Sequence, residues 1–410
     1  MESIWLYLEP YVFISEDRDS FLLYNSRTQK GFSFSKSESV NSLLEKMKNV
    51  DYLYSVKISS NDLENDSLYD FVQQILESGC GDLVEGDLDK PIIFPPILSL
   101  HRSAEKMELH GIPFDENILS YLHEVIIYLN GECDLKCENC AKEFKQHHCC
   151  TKSNDILDIS KLEKFLYSVL YTKASITISG GNILKYENLD EILILLKNND
   201  IIHTLIVNWE NLLEESKILA LLSKSSFRLG ILVNGLSYNI SSITNLAKKI
   251  NQYGISQYWE ISVSSLSEYE KAEFLYMQLK TWSEVRIVPI YNGKNTTFFE
   301  DYIFMDQEDI SMIQLSRRDI FIRQSLNINS FGKITVLPNG KIYANMNDKS
   351  IGNMGDPLKE ILCKEFKSGI SWRRTRYSVE PCSSCRFKII CPSISNYELV
   401  LERNNLCHIR

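Results

Sequence analysis

Positive charge is in short supply. With 44 Lys and Arg against 54 Asp and Glu, the chain carries a formal charge of −10. That balance argues against a nucleic-acid partner, because phosphate contacts need clustered cations. Also missing is any apolar run of the roughly 18 residues that a membrane span requires. The opening "MESIWLYLEPYVF" has no basic segment followed by an apolar one, so no export signal and no membrane are expected, and the protein is placed in the cytoplasm. Composition also gives no sign of disorder, since 44% apolar and 24% charged residues are ordinary for a globular protein.

Cysteine, by contrast, is abundant. There are 11, an odd number in a chain without an export signal; in a reducing compartment clustered cysteines bind metal or do redox work more often than they form disulfides. Seven fall into two groups, Cys133, Cys137 and Cys140, then Cys382, Cys385, Cys391 and Cys407. Cys80 and Cys363 stand apart and read as ordinary core or surface residues.

At 410 residues two or three domains are expected. Residues 1–88 read as a separate α+β unit: strand-like aromatic runs come first, then "DSLYDFVQQILESG" with Leu68, Phe71, Val72, Ile75 and Leu76 at helical spacing and Gly79 as its stop. Pro91, Pro95 and Pro96 mark residues 89–119 as a linker. Between residues 120 and 325 six strand-like runs, from "EVIIYLN" to "VRIVPIYN", alternate with amphipathic helices. One of these helices is expected to be capped by Ser160; another carries Leu189, Ile192, Leu193 and Leu196 on one face. Such alternation implies a parallel α/β sheet, doubly wound or a partial barrel, with its site at the C-terminal strand ends. Residues 326–410 hold a hairpin turning at Asn339 and Gly340 and a cysteine-rich tail that reads as a metal-supported domain.

Position along the chain sharpens the chemistry. The triplet of "GECDLKCENC" follows the first strand of the repeat, and the Gly180, Gly181 and Asn182 of "ITISGGN" follow the second. Three thiolates can hold three irons of a [4Fe–4S] cluster and leave the fourth open, whereas structural zinc asks for four ligands. Cys149 and Cys150 in "KQHHCC" could close such a site or merely shape its loop, and His147 and His148 are read as packing residues. Asn208 and Asn234, after later strands, could reach a ligand bound at the strand ends, but turn roles are expected for both.

The combination of "CDLKCENC" and "ITISGGN" resembles the radical S-adenosylmethionine enzymes. The resemblance implies a (β/α)6 partial TIM barrel in which Cys133, Cys137 and Cys140 hold the open [4Fe–4S] cluster and Gly180, Gly181 and Asn182 hold the methionyl end of S-adenosylmethionine. Two departures stand out. Asn139 replaces the family's aromatic beside the adenine, and Asn182 replaces its Glu, which together weaken cosubstrate binding by on the order of a hundredfold.

The front unit resembles winged-helix peptide-recognition domains, and the tail resembles the SPASM module. In the tail the resemblance assigns Cys382, Cys385, Cys391 and Cys407 to one auxiliary [4Fe–4S] cluster, with zinc as the alternative. Asn345 and Ser395 stand where ligands of a second cluster would be. "WLYLEPYVFIS", "LHEVIIYLN" and "CCTK" extend the resemblance to the radical SAM and pseudo-radical-SAM proteins of Bacteroidales Gly-Gly leader peptide systems. It implies hydrogen abstraction from a ribosomally made precursor peptide bound through its leader. The alternative is a catalytically silent partner of a second, related maturase.

Overall fold

The structure, a computed structural model, describes residues 3–96, 109–111, 115–135, 137, 140–197, 201–213, 215–223, 225, 227–234 and 238–409. Asn139, and residues 97–108 and 112–114 of the expected linker, lie outside them.

The front of the chain forms two antiparallel sheets of three strands. One has β1 (Ser3–Leu8) between β5 (Ser55–Ser59) and β6 (Gly81–Glu85); the other joins β2 (Val12–Glu16), β3 (Ser20–Asn25) and β4 (Lys30–Ser35). Two helices, Glu38–Lys48 and Asp66–Glu77, complete a local core, the second burying Leu68, Phe71, Val72 and Ile75 as its periodicity requires. Gly79, at φ +62, ends that helix in the left-handed region. The outer face of β2 and β3 does not meet water. Phe13, Leu22 and Tyr24 pack on Leu315, Ile320, Phe387 and Ile390 from the far end of the chain. The Tyr24 hydroxyl donates to the Leu315 carbonyl (2.9 Å) and accepts from its N–H (2.6 Å), so this contact between the two ends of the chain is specific as well as apolar.

The alternating region forms the large sheet. β7 (Glu124–Tyr128), β8 (Ser175–Ser179), β9 (Thr204–Asn208), β10 (Arg228–Val233), β11 (Ser256–Val263) and β12 (Glu284–Pro289) lie side by side in chain order, all parallel. On the other side of β7 comes β13 (Lys333–Val336), also parallel, followed by antiparallel β14 (Lys341–Tyr343) and β15 (Gly352–Asn353). The result is a nine-stranded mixed sheet among the described residues. The β13–β14 hairpin turns where Asn339 and Gly340 place it, with Gly340 at φ +80.

Leu205, Ile206 and Val207 are consecutive and all buried, because helices cover one face of the sheet and its other face curves round a cavity of about 720 Å³. Leu162, Phe165, Leu166 and Val169 of the helix Ile159–Leu170, and Leu189, Ile192, Leu193 and Leu196 of Leu189–Lys197, supply the helical side of the core. The cap expected at Ser160 is instead Asp158, whose carboxylate accepts from Lys161 N–H at 2.9 Å. The helix begins at Ile159, so Ser160 already lies inside its first turn. No helix among the described residues is long and apolar enough to cross a membrane.

One buried imidazole ties β8 to β9. His203 accepts from the Ile176 N–H at 3.0 Å through Nδ1, and burial pushes its pKa down to about 4 from the ordinary 6.5. The fold therefore holds His203 neutral while the unfolded chain takes up a proton below about 6.5. Its contribution is present above that pH and is lost as the pH falls toward 4. Urea denaturation of wild type and His203→Gln at pH 7.5 and 4.5 is expected to show their stability difference shrinking by roughly 2 kcal/mol at the lower pH. A difference independent of pH would remove the titration from His203.

Candidate functional site

Where β7 and β8 end, two loops cross, and glycine is what lets them touch. A Cβ on Gly181 would lie 1.9 Å from the Glu132 carbonyl oxygen, and one on Gly180 would lie 2.8 Å from that of Asn130. The contact is laced with hydrogen bonds. Gly181 N–H donates to the Asn130 carbonyl (2.9 Å), Asn182 N–H donates to that of Glu132 (2.7 Å), and the Asn130 side-chain amide returns one to the Asn182 carbonyl (2.9 Å). The Gly-Gly pair thus seats the backbone that leads to Cys133.

Asn182 ends this seat. Its side-chain N–H donates to Asp134 at 3.3 Å, and Asp134 is in turn paired with Lys185 at 2.7 Å. Its Oδ1 is buried with no partner among the described residues. A buried acceptor left unpaired costs about 1–3 kcal/mol, so this oxygen suits a donor from a ligand, such as an ammonium group.

Beyond the seat five thiols gather. Cys133 and Cys137 are half-buried, and Cys140, Cys149 and Cys150 are buried beside them. Cys137 faces Cys140, Cys149 faces Cys140, and Cys150 faces both Cys133 and Cys140. Cys140 begins the short helix Cys140–Glu143, and Glu143, three residues on, turns to the same place: ligand atoms of Cys140, Glu143 and Cys149 all lie within 4.8 Å of one another. Soft thiolates at this density suit iron–sulfur clusters or zinc.

Asn234, expected in a turn, belongs instead to this site. It follows β10, and its side-chain N–H groups reach Glu143 (3.3 Å) and the Cys149 sulfur (3.6 Å), while its oxygen accepts from Ser262 on β11 at 3.3 Å. The parallel order of β10 and β11 brings these residues together, which spacing along the chain does not reveal. Asn208 does take a turn role, capping Trp209–Leu212 by accepting from Glu210 N–H at 3.0 Å.

The segment between Glu143 and Cys149 is fastened to the rest of the chain on both sides. Gln146 exchanges two hydrogen bonds with the Tyr291 backbone (2.8 and 2.9 Å), the His147 ring meets the Tyr397 hydroxyl at 2.9 Å, and Asn347 donates to the Lys145 carbonyl at 3.0 Å. Burial pushes His147 down to about 4, so it is neutral at pH 7.

The tail brings its four thiols together too. Cys382, Cys385, Cys391 and Cys407 line one cavity with the apolar Met305, Ile310, Phe387 and Leu406. N–H donors point at three of the sulfurs: Arg376 at Cys382 (3.5 Å), the Phe387 backbone at Cys385 (3.4 Å) and Asn405 at Cys407 (3.6 Å). N–H donors around sulfur are the usual outer contacts of a metal-bound cysteine, so the donor set fits a bound cluster or zinc. Arg376, nearly fully buried and ion-paired with Glu398, had no signature in sequence spacing.

Asn345 and Ser395 do not join those thiols. Asn345 donates to Asn396 (2.7 Å) and Ser330 (3.4 Å), and Ser395 caps the helix Asn396–Val400 in a reciprocal pair with Glu398. Hydrogen bonds between amides and hydroxyls hold this region together.

No family model matches the chain, and no curated protein does. Solved structures do. Streptococcus suis SuiB superposes over 98% of this chain and 100% of its own, at a TM-score of 0.53 and 14% identity. SuiB bound to S-adenosylmethionine covers 98% of this chain (TM-score 0.51, 15% identity), and SuiB bound to precursor peptide SuiA covers 98% (TM-score 0.52, 15% identity). At such identity the likeness is one of fold.

Proposed function

We propose that the chain is a radical-SAM-type protein of ribosomal peptide maturation. In this reading β7–β12 are the strands of a (β/α)6 partial barrel, residues 1–88 recognise the leader of a precursor peptide, and residues 326–410 are a SPASM-like domain. The observation that carries the reading is the meeting of the Cys133, Cys137 and Cys140 loop with Gly180, Gly181 and Asn182 at the C-terminal ends of adjacent parallel strands. The fold shared with SuiB, which binds S-adenosylmethionine and a precursor peptide, supports it.

The roles follow from position. Cys133, Cys137 and Cys140 would hold the [4Fe–4S] cluster, and the unpaired Asn182 oxygen would accept from the ammonium of S-adenosylmethionine. Bound there, the cluster and S-adenosylmethionine would supply the reducing and radical chemistry needed to take hydrogen from a peptide, while these residues hold and orient them. Tail residues Cys382, Cys385, Cys391 and Cys407 would hold one auxiliary cluster, or zinc, with Arg376 balancing part of its negative charge.

A second reading, a silent partner of another maturase, draws on one observation: Cys149, Glu143 and Asn234 occupy the strand ends where a cosubstrate would lie. Electron paramagnetic resonance of the reconstituted, reduced protein separates the two. In the enzyme reading, S-adenosylmethionine alters a [4Fe–4S] signal that Cys137→Ala lacks. A signal that depends on Cys137 yet ignores millimolar S-adenosylmethionine favours the partner.

A further inference from the structure

Two thiols beyond the triplet reach the barrel site, and their surroundings differ. Cys149 is already engaged: its S–H donates to the Glu143 carboxylate at 3.3 Å, and Asn234 closes over it from β10. Cys150 faces two of the three triplet sulfurs, those of Cys133 and Cys140. The Lys152 backbone N–H donates to its sulfur at 3.2 Å, an arrangement that strengthens when the sulfur is a thiolate. In the free thiol, Cys150 donates to the Gly131 carbonyl at 3.3 Å, which places it against the same loop that leads to Cys133. The anchors at Gln146 and His147 fix the path of the chain up to Cys149 and Cys150, which holds the thiol beside the triplet.

We infer that Cys150 supplies a fourth thiolate to the cluster of the Cys133, Cys137 and Cys140 loop, so that the resting protein offers no open iron. The inference rests on the reading that this loop holds a [4Fe–4S] cluster. Ligation forms one iron–sulfur bond, releases the Cys150 proton to solvent and transfers no electron. Cys149 keeps its contacts with Glu143 and Asn234 and fills the space beside Cys140. A cosubstrate would then reach the cluster only by displacing Cys150, which makes this residue a lock on the site.

The test uses the ease with which an open iron is lost. Full-length wild type, Cys150→Ser, Cys149→Ser and Cys137→Ala are reconstituted anaerobically with iron and sulfide, exposed to a mild oxidant, and assayed for iron and by electron paramagnetic resonance. Wild type and Cys149→Ser are expected to keep their iron. Cys150→Ser is expected to lose roughly one of this cluster's four irons and to show a three-iron signal. A three-iron signal as strong in wild type would overturn the inference while leaving the cluster reading intact. The same signal appearing in Cys149→Ser but not in Cys150→Ser would overturn it too. Equal iron in wild type and Cys137→Ala would show that the loop holds no cluster, and both readings would fall together.

Discussion

Arg376→Ala is expected to destabilise the C-terminal part of the chain by about 3–5 kcal/mol, the range for breaking a buried ion pair from one side. Arg376 and Glu398 are exposed by only 5% and 2%. Removing the guanidinium leaves the Glu398 carboxylate buried with Ser395 as its side-chain partner among the described residues, takes from the Pro392 carbonyl its donor at 2.8 Å, and leaves the Asn404 carbonyl, bonded at 2.8 Å, with the Cys382 thiol alone. The Cys382 sulfur loses its donor as well, so metal bound by the four tail thiols is expected to fall in the same variant. Arg376→Lys separates charge from shape, because an ammonium keeps the charge but cannot reach Pro392, Asn404, Cys382 and Glu398 from one planar fork. It should recover part of the stability and little of the metal. Urea denaturation with metal analysis decides the matter, and a loss below about 1 kcal/mol would mean that water replaces the guanidinium.

How much of this was legible in the sequence depends on the range of the interaction concerned. The order of β7–β12 follows from alternating apolar runs and helices, a local signal, and Gly79 and Gly340 sit at turns that their chemistry demands. The triplet and the Gly-Gly were legible as a pair because each follows its own strand. What escaped was decided by packing between distant segments. Asn234 reads as a turn residue until β10 brings it against Glu143, 91 positions earlier in the chain. Nothing in its spacing marks Arg376 until the tail folds over it. The cap at Ser160 failed for a smaller reason: the helix begins at Ile159, so the capping position falls to Asp158, two residues earlier. Asn345 and Ser395 read only as missing ligands, whereas the hydrogen bonds that replace those ligands needed three-dimensional neighbours to be seen.

Gly181→Ala tests whether the glycine pair serves the ligand or the loop. Its Cβ would lie 1.9 Å from the Glu132 carbonyl oxygen and 2.5 Å from the carbonyl carbon, both backbone atoms with no flexible end to yield. One strand end or the other must move. Movement breaks the bonds from Gly181 N–H to Asn130 and from Asn182 N–H to Glu132, an expected loss of about 2–4 kcal/mol. Because Glu132 adjoins Cys133, the displacement passes directly to the first thiol. On the proposed reading, iron reconstituted at the cysteine loop after β7 should therefore fall severalfold while any metal at Cys382, Cys385, Cys391 and Cys407 stays. Gly355→Ala, where an added Cβ meets nothing within 4 Å, is the control and should change neither. If Gly181→Ala keeps its iron but loses its response to S-adenosylmethionine, the glycine is there to admit the cosubstrate, and the seat under Glu132 adapts around it. If it loses iron in the absence of any cosubstrate, the pair acts first as the foundation of the cysteine loop, and the S-adenosylmethionine binding of the proposed reading would depend on a platform that the backbone contact builds.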